Sequence, residues 1–216
     1  KQSPAEILNR AFMGGFPEAL GRKADARRRA WFQAYTTTLL SREVRDISNI
    51  EAFASLPRLL GLLATRSCAL LNHSDIARSA AMPLSTLKRY VSLFQALYLI
   101  HVLPAWSGNQ GQRLIKTPKI ILSDTGLLAY LLGLEPQRLS LDPTATGPLL
   151  ENFAAMELLK QASWSDPLIR ISYFRTASGA EVDLVLEDPR GRVVGVEIKA
   201  SASPAGKDFN GLRKLA

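Results

Sequence analysis

The residues with the clearest capacity for chemistry lie in one stretch of the sequence, Gly179 to Ser201. Two apolar, β-branched runs flank the turn-forming sequence Asp188-Pro189-Arg190-Gly191, which predicts an antiparallel hairpin. Because side chains alternate between the faces of a strand, Glu197 and Lys199 share a face on the second strand, and Asp183 stands on the first. Carboxylates bind hard divalent cations, and a neighbouring ammonium can orient a phosphate or a water. The stretch therefore predicts a metal-and-phosphate site.

The register of the hairpin decides whether these residues meet. A slip of one position moves every side chain of a strand to the other face. Pairing of Asp183 with Glu197 requires a loop centred on Arg190, whereas a two-residue turn would turn Asp183 away. We therefore expect a loop of three or five residues, with Gly191 suited to a bulge. Two such acids repel each other without a metal, so at least one should have a raised pKa.

An Asp followed by Glu-x-Lys on the next strand resembles the PD-(D/E)xK nuclease superfamily. The resemblance implies an active site of Asp183, Glu197 and Lys199, and a preceding helix that often carries a further acid. Here an apolar-periodic run opens at Gly147, and Glu151 is the matching acid. A second interpretation stays open, because antiparallel sheets with one hydrated face alternate in the same way, and the charges would then only be solvated.

The charge balance favours a polyanionic partner such as DNA. The 216 residues include 27 Lys and Arg against 19 Asp and Glu, a formal net charge of +8, and the pI is near 9.9. Solubility alone would also account for a basic surface. The strongest basic run is compatible with a solvated helix face or with a nucleic-acid patch; its members are Arg22, Lys23, Arg27, Arg28 and Arg29.

Cysteine and hydrophobicity patterns indicate the compartment. Cys68 is alone, which excludes an intramolecular disulfide and favours a reducing environment, and with only two histidines a structural zinc site is implausible. We see neither a run that could span a bilayer nor a signal peptide, so we expect a cytoplasmic protein without a membrane partner. The chain starts at Lys1 without an initiating Met, and we interpret it as a fragment of something longer.

The N-terminal 135 residues predict helices followed by a winged helix. Residues 1–50 are helical in pattern, with an interruption at Gly14-Gly15. Residues 51–135 predict a helix, then a short helix, a tight turn and a longer helix, as in a helix-turn-helix. Two extended segments around the turn-rich residues 106–112 would form the wing.

The predicted winged helix offers a few candidate contacts to nucleic acid. Two lie on the second helix and three on or beside the wing: Lys88, Arg89, Arg113, Lys116 and Lys119. Phosphate contacts usually need more basic residues than this, so a role in protein interaction or in packing against a lid is also open.

The remaining sequence predicts an α/β unit. Pro136 and Pro143 mark a linker over 135–146, and the order from 147 to 216 is helix, three strands and helix. The predicted fold class is therefore α+β. The PD-(D/E)xK core includes a further strand after the last helix, so this unit is expected to be truncated.

Taken together, several stretches resemble the C-terminal two-thirds of a prokaryotic AAA-type ATPase family that joins a P-loop domain to a winged helix and a nuclease-like domain. They are Gly14-Gly15-Phe16-Pro17-Glu18, Tyr35 to Val44, Thr117-Pro118-Lys119, Ser123 to Leu127, Gly147 to Phe153, Gly179 to Asp183 and Glu197-Ile198-Lys199. The resemblance implies that residues 1–50 end an ATPase lid. ATP would bind only in the N-terminal domain, because the P-loop is missing from this chain.

Two functions follow as hypotheses. The first is a Mg²⁺-dependent phosphodiesterase, with Asp183, Glu197 and Glu151 as metal ligands and Lys199 activating water or neutralising phosphate. The second is a non-catalytic module that binds DNA or protein and regulates the ATPase. The expected partners are DNA, the protein's own N-terminal ATPase domain and further copies of the chain.

Overall fold

The computed structural model describes residues 3–45, 50–108, 116–136, 143–201 and 203–216, and it belongs to the α+β class, as predicted. Of the side chains, those of 43–45, 50–54 and 143 are not described. Arg113, one of the predicted nucleic-acid contacts, lies outside the described residues. No helix of the described residues combines the length and the apolar character needed to cross a membrane.

The N-terminal helices are α1 (Pro4–Met13), α2 (Pro17–Leu20) and α3 (Asp25–Arg45). A capping box begins α1, in which the Ser3 hydroxyl accepts from the backbone N–H of Glu6 and the Glu6 carboxylate accepts from that of Ser3. Gly14 ends the helix at φ +73°, a conformation that favours glycine. The predicted interruption at Gly14-Gly15 is confirmed.

Three further helices and a hairpin follow: α4 (Ile50–Ala64), α5 (His73–Ser79), α6 (Leu84–Ala96), β1 (Ile100–Leu103) and β2 (Lys119–Leu122), with α7 (Thr125–Leu131) after them. β1 and β2 pair antiparallel, with Ile100 opposite Leu122 and Leu103 opposite Lys119. All four residues of β2 are buried, Lys119 included.

The Gly14-Gly15 segment after α1 packs closely against the start of α7. The Asp124 carboxylate caps α7 through the N–H of Leu127 (2.8 Å) and accepts the N–H of Gly15 (2.6 Å). A Cβ at Gly14 would lie 2.5 Å from Asp124 Oδ1, and one at Gly126 would lie 2.5 Å from the carbonyl oxygen of Met13. These glycines are therefore needed for a close approach of two backbones.

The C-terminal elements are α8 (Pro143–Ser163), β3 (Arg170–Arg175), β4 (Glu181–Glu187), β5 (Val193–Val196), a 3₁₀ turn (Gly206–Phe209) and α9 (Asn210–Leu215). The sheet is antiparallel in the order β3-β4-β5. The order helix, three strands and helix was predicted. The linker was predicted too long, because α8 already begins at Pro143, where proline is tolerated in a first helical turn.

Two apolar clusters form the interior, and backbone contacts join them. The larger extends from α1 through α7 to Leu149 of α8, and the smaller lies between α8 and the sheet. The chain leaving β1 pairs with β3, because the N–H of Tyr173 donates to Pro104 O (3.0 Å) and the N–H of Trp106 donates to Tyr173 O (2.6 Å). The β1–β2 hairpin is thereby fixed against the C-terminal sheet.

Candidate functional site

The β4–β5 hairpin has the register that the predicted metal-and-phosphate site requires. Leu184 pairs with Val196 and Glu187 with Val193, which is the register that sets Asp183 opposite Glu197. The loop closes between the N–H of Asp188 and Arg192 O (3.0 Å), so three residues centred on Arg190 lie between them. Gly191 adopts φ +79°. The predicted odd-length loop is confirmed. Glu197 itself lies just beyond the end of β5, where this register, continued by one position, would bring it opposite Asp183.

A β-bulge lies at Asp183 itself. Ser172 pairs with Val185 and Phe174 with Val182, so two residues, Asp183 and Leu184, stand opposite Tyr173. Such an extra residue increases the local twist of the strand and re-aims its side chains, and bulges are frequent beside active sites. The alternating sequence pattern gave no sign of this irregularity.

The two predicted acids have different surroundings. Asp183 Oδ2 accepts the backbone N–H of Ile198 (2.8 Å), whereas Glu197 Oε1 lies 2.6 Å from Lys199 Nζ. Glu197 Oε2 is buried and receives no hydrogen bond from any described residue. Burial, followed by the charge of Asp183, raises the pKa of Glu197, despite the opposing effect of Lys199. The predicted raised pKa of one acid is confirmed, with burial as its larger cause.

Lys119, which the sequence analysis placed on or beside the wing, is buried and lies instead at the centre of the site. Lys119 Nζ is 2.9 Å from Glu151 Oε1, 2.5 Å from Glu181 Oε1 and 3.8 Å from Asp183 Oδ1. Its side chain is 2% exposed. The ammonium also lies 5.5 Å from the centre of the Tyr173 ring. We call the group of Lys119, Glu151, Glu181 and Asp183 the lysine–carboxylate cluster.

A buried asparagine fixes β2 against α8 beside this cluster. Asn152 Oδ1 accepts the N–H of Leu122 (2.8 Å) and the hydroxyl of Ser67 (2.7 Å), and Asn152 Nδ2 donates to Leu122 O (2.8 Å). Glu151 precedes Asn152 on α8, and Lys119 lies three residues before Leu122 on β2. The clamp at Leu122 therefore aligns the two elements that provide Glu151 and Lys119.

Charge and burial compete in the cluster. Burial lowers the pKa of Lys119, but the charges and hydrogen bonds of Glu151 and Glu181 together outweigh it and raise that pKa well above its usual range. Burial raises the pKa of Glu151 to about 7, with Asp183 adding to the rise and Lys119 only partly opposing it. Lys119 is accordingly charged, and Glu151 titrates near neutrality.

The carboxylates of the site are the kind of ligand that a hard cation prefers, but Lys119 already lies against two of them, Glu151 and Asp183. Mg²⁺ prefers oxygen ligands, and Asp183, Glu197 and Glu151 supply them, including the buried Oε2 of Glu197 that lacks a hydrogen bond within the described chain. Across the described segments, no three His, Cys, Asp or Glu side chains are arranged to hold a metal ion. Glu151 and Asp183 lie within 4.0 Å of the Lys119 ammonium instead, and Glu197 pairs with Lys199.

The predicted nucleic-acid residues are only partly brought together. Lys88 and Lys116 line one open groove between α5, α6 and the segment before β2. Arg89 is exposed and lies 5.3 Å from the ring of Tyr90, outside the residues that line this groove. Arg28 is buried, pairs with Asp25 and stands 5.7 Å from the ring of Phe12. The run Arg27–Arg29 therefore does not form one exposed surface.

The signals that could have identified the missed residues were present in the sequence. Glu181 is two positions before Asp183, so strand alternation places it toward the same face, apart from the effect of the bulge. Lys119 begins the otherwise apolar run Lys119-Ile120-Ile121-Leu122, and a lysine in a buried strand needs a partner. The identity of that partner is a long-range contact that local spacing does not reveal.

The fold and the cluster define the molecule as an α+β protein in which helices and a β-hairpin are joined to a small antiparallel sheet through a buried lysine–carboxylate cluster. The chain belongs to the family described as "Domain of unknown function (DUF8612)", which matches residues 5–138. A second family, "Domain of unknown function (DUF4143)", matches residues 146–216 and is commonly associated with AAA-type ATPases. The first match ends at residue 138 and the second begins at residue 146, so the boundary between them falls in the predicted linker, 135–146.

Two curated proteins are similar to the chain over most of its length. They are "Uncharacterized protein Rv2008c" of Mycobacterium tuberculosis (strain ATCC 25618 / H37Rv) and "Uncharacterized protein Mb2031c" of Mycobacterium bovis (strain ATCC BAA-935 / AF2122/97). Each is 32% identical over 193 residues, which cover 89% of this chain and 42% of the relative. The chain thus spans about two fifths of the length of these relatives. A comparison with solved structures finds no match.

Proposed function

We propose that this chain is the C-terminal part of an AAA-type ATPase and that its sheet carries a PD-(D/E)xK-like site for Mg²⁺-dependent cleavage of phosphodiester bonds in DNA. The observation that supports the proposal is the register of β4 and β5, which, continued one position beyond Val196, would set Asp183 opposite Glu197. Lys199 is 2.6 Å from Glu197, and Glu151 approaches from the preceding helix. A slip of one residue would have removed this arrangement.

Each residue has a distinct part in the proposed chemistry. Asp183 and Glu197 would hold Mg²⁺, with Glu151 helping directly or through water, and the metal would supply an acidified water as nucleophile. The side chain of Lys199 is 39% exposed, so its ammonium reaches solvent and can neutralise an incoming phosphate. The N–H of Ile198 fixes the orientation of the Asp183 carboxylate.

The groove that contains Lys88 and Lys116 supports DNA as the partner. Both ammonium groups border one open groove beside α6, the longer helix of the proposed winged helix. Two lysines are a small number for phosphate binding, and the proposed contacts Arg89 and Arg113 would have to add to them. Affinity for duplex DNA should then fall steeply with added salt, because neutralised phosphates release counterions.

A second function, a non-catalytic module that regulates the ATPase, is favoured by one specific observation. Lys119 already neutralises the carboxylates and is itself buried at 2% exposure, as expected of a structural ion pair between two parts of a molecule. In this alternative the cluster holds the two parts together, and ATP hydrolysis outside this chain is the only chemistry.

Cleavage assays on the purified chain separate the two functions. Fluorescent duplex and single-stranded DNA would be incubated with millimolar Mg²⁺ or Mn²⁺ and with wild type, Asp183→Asn or the exposed control Lys214→Met. The nuclease proposal expects metal-dependent cleavage that Asp183→Asn reduces by about a hundredfold or more and Lys214→Met leaves unchanged. Equal rates for wild type and Asp183→Asn would identify any cleavage as contamination and favour the regulatory function.

A further inference from the structure

The ammonium of Lys119 stands where the carboxylates converge. Three acids lie within 4.0 Å of it, two of them at hydrogen-bonding distance, and the lysine side chain is almost fully removed from solvent. Two of these acids, Glu151 and Asp183, are proposed metal ligands, whereas Glu181 is not. The Lys119 ammonium therefore already occupies the position between these two proposed ligands, and this cation is covalently part of the chain.

The placement of Lys119 is fixed by its backbone. Lys119 pairs with Leu103 in the β1–β2 hairpin and forms a second bridge with Leu70 on its other side. Asn152 of α8 clamps the end of the same strand at both polar groups of Leu122. The hairpin continues into the C-terminal sheet through the pairing of Ala105 with Tyr173. The N-terminal part of the molecule thus holds this lysine inside a site that belongs to the C-terminal part.

We propose that Lys119 is a built-in competitor of the divalent cation, so that the site binds metal only when this ammonium leaves Glu151 and Asp183. The proposal rests on the proposed function for the identity of the metal ligands. An ammonium and a divalent cation repel each other and need the same carboxylate oxygens, so they exclude each other from the cluster. Because Lys119 lies on β2, metal binding depends on how the hairpin packs against α8 and β4.

Calorimetric titration with Mg²⁺ tests the competition without relying on activity. Lys119→Met keeps the length and apolar stem of the side chain and removes the competing charge. We expect Lys119→Met to bind Mg²⁺ about tenfold or more tightly than wild type, a gain of about 1.4 kcal/mol or more. The matched control is Lys199→Met, which removes an equal charge from the same site but leaves Lys119 in place.

The control separates competition from a general change of charge. If Lys199→Met tightens Mg²⁺ binding as much as Lys119→Met does, or if Lys119→Met binds no better than wild type, the proposal is wrong. Lys119→Met leaves three acids without their counter-ion, so it could fail to fold. The double variant Lys119→Met/Glu181→Gln removes one of those acids, which is not a proposed ligand, and it should also bind Mg²⁺ more tightly than Glu181→Gln alone.

Metal binding and cleavage together distinguish failure of this inference from failure of the proposed function. Tighter Mg²⁺ binding by Lys119→Met, with no cleavage of DNA by any variant, supports the competitor and refutes the nuclease. Cleavage by wild type, with equal Mg²⁺ affinity in wild type and Lys119→Met, supports the nuclease and refutes the competitor.

Discussion

The β1–β2 and β4–β5 hairpins each bring one lysine to the same site, and the two lysines have opposite surroundings. Lys199, just beyond β5, is 39% exposed on its side chain and contacts Glu197 alone among the described acids within 4.0 Å. Lys119, at the start of β2, is 2% exposed and lies within 4.0 Å of three acids. The lysine that matches the sequence motif faces solvent, and the lysine that dominates the electrostatics comes from another part of the chain.

The comparison shows that a lysine–carboxylate pair contributes differently to stability when it is exposed and when it is buried. An exposed pair contributes little, because water screens the charges and ordering two long side chains costs entropy. A buried pair is costly to break, because removing one partner leaves an uncompensated charge in a poorly hydrated place. We therefore expect Lys119 to govern stability and Lys199 to be available for chemistry.

The largest expected effect is that of Lys119→Met on stability. Removal of the ammonium leaves three acids facing one another, so the free energy of unfolding should fall by about 3–5 kcal/mol, whereas Lys199→Met should lower it by at most about 1 kcal/mol. Urea unfolding followed by circular dichroism measures both at neutral pH without divalent metal. Equal effects of the two variants would contradict the distinction between the lysines.

A smaller loss is expected when the clamp beside the cluster is removed. Asn152→Ala leaves both polar groups of Leu122 and the Ser67 hydroxyl without their buried partner, which should lower the free energy of unfolding by about 2–3 kcal/mol. Asn9→Ala on the exposed side of α1 is the control, with an expected change within about 0.5 kcal/mol. A loss no larger than that of the control would show that the clamp does not hold β2 against α8.

The pH dependence of stability should be of similar size and reports on Glu151. Its pKa is raised by burial to about 7 from an ordinary value of 4.5, so the folded protein retains a proton that the unfolded chain has lost. The stabilising contribution of that proton is present below pH 4.5 and is lost as the pH rises through about 7. Wild type should therefore lose about 3 kcal/mol relative to Glu151→Gln across this range.

Urea midpoints at a series of pH values measure this difference. Burial lowers the pKa of both His73 and His101, so their titration changes stability with pH in the opposite direction. Because both proteins contain these histidines, the difference between wild type and Glu151→Gln removes their contribution. A difference that grows in favour of wild type with rising pH would mean that attraction to Lys119 outweighs burial at Glu151.

The sequence was sufficient for the features that depend on local spacing. The three-residue loop at Arg190, the register of β4 with β5, and the break at Gly14-Gly15 all follow from turn chemistry and from the period of two along a strand. The start of the helix that carries Glu151 was misplaced, because prolines that suggest a linker are also tolerated in a first helical turn.

The features that depend on contacts between distant segments could not be predicted. Lys119 and Glu181 are more than sixty positions apart in the sequence, and nothing in the spacing around either residue specifies the other. The bulge at Asp183 arises from the pairing of β3 with β4, which the pattern of either strand alone does not show. The sequence therefore identified Asp183, Glu197, Lys199 and Glu151, but it did not identify Lys119 and Glu181 as members of the site.

A double-mutant cycle between Lys119 and Glu151 tests the central claim most directly. Unfolding free energies of wild type, Lys119→Met, Glu151→Gln and the double variant give the interaction energy of the pair, and the same cycle for Lys199→Met and Glu197→Gln provides the comparison. The buried Lys119–Glu151 pair at 2.9 Å should couple by about 2 kcal/mol or more. The Lys199–Glu197 pair, whose lysine is 39% exposed, should couple by about 0.5 kcal/mol. Coupling of Lys119 to Glu151 no stronger than that of Lys199 to Glu197 would contradict a lysine at the centre of the carboxylate site.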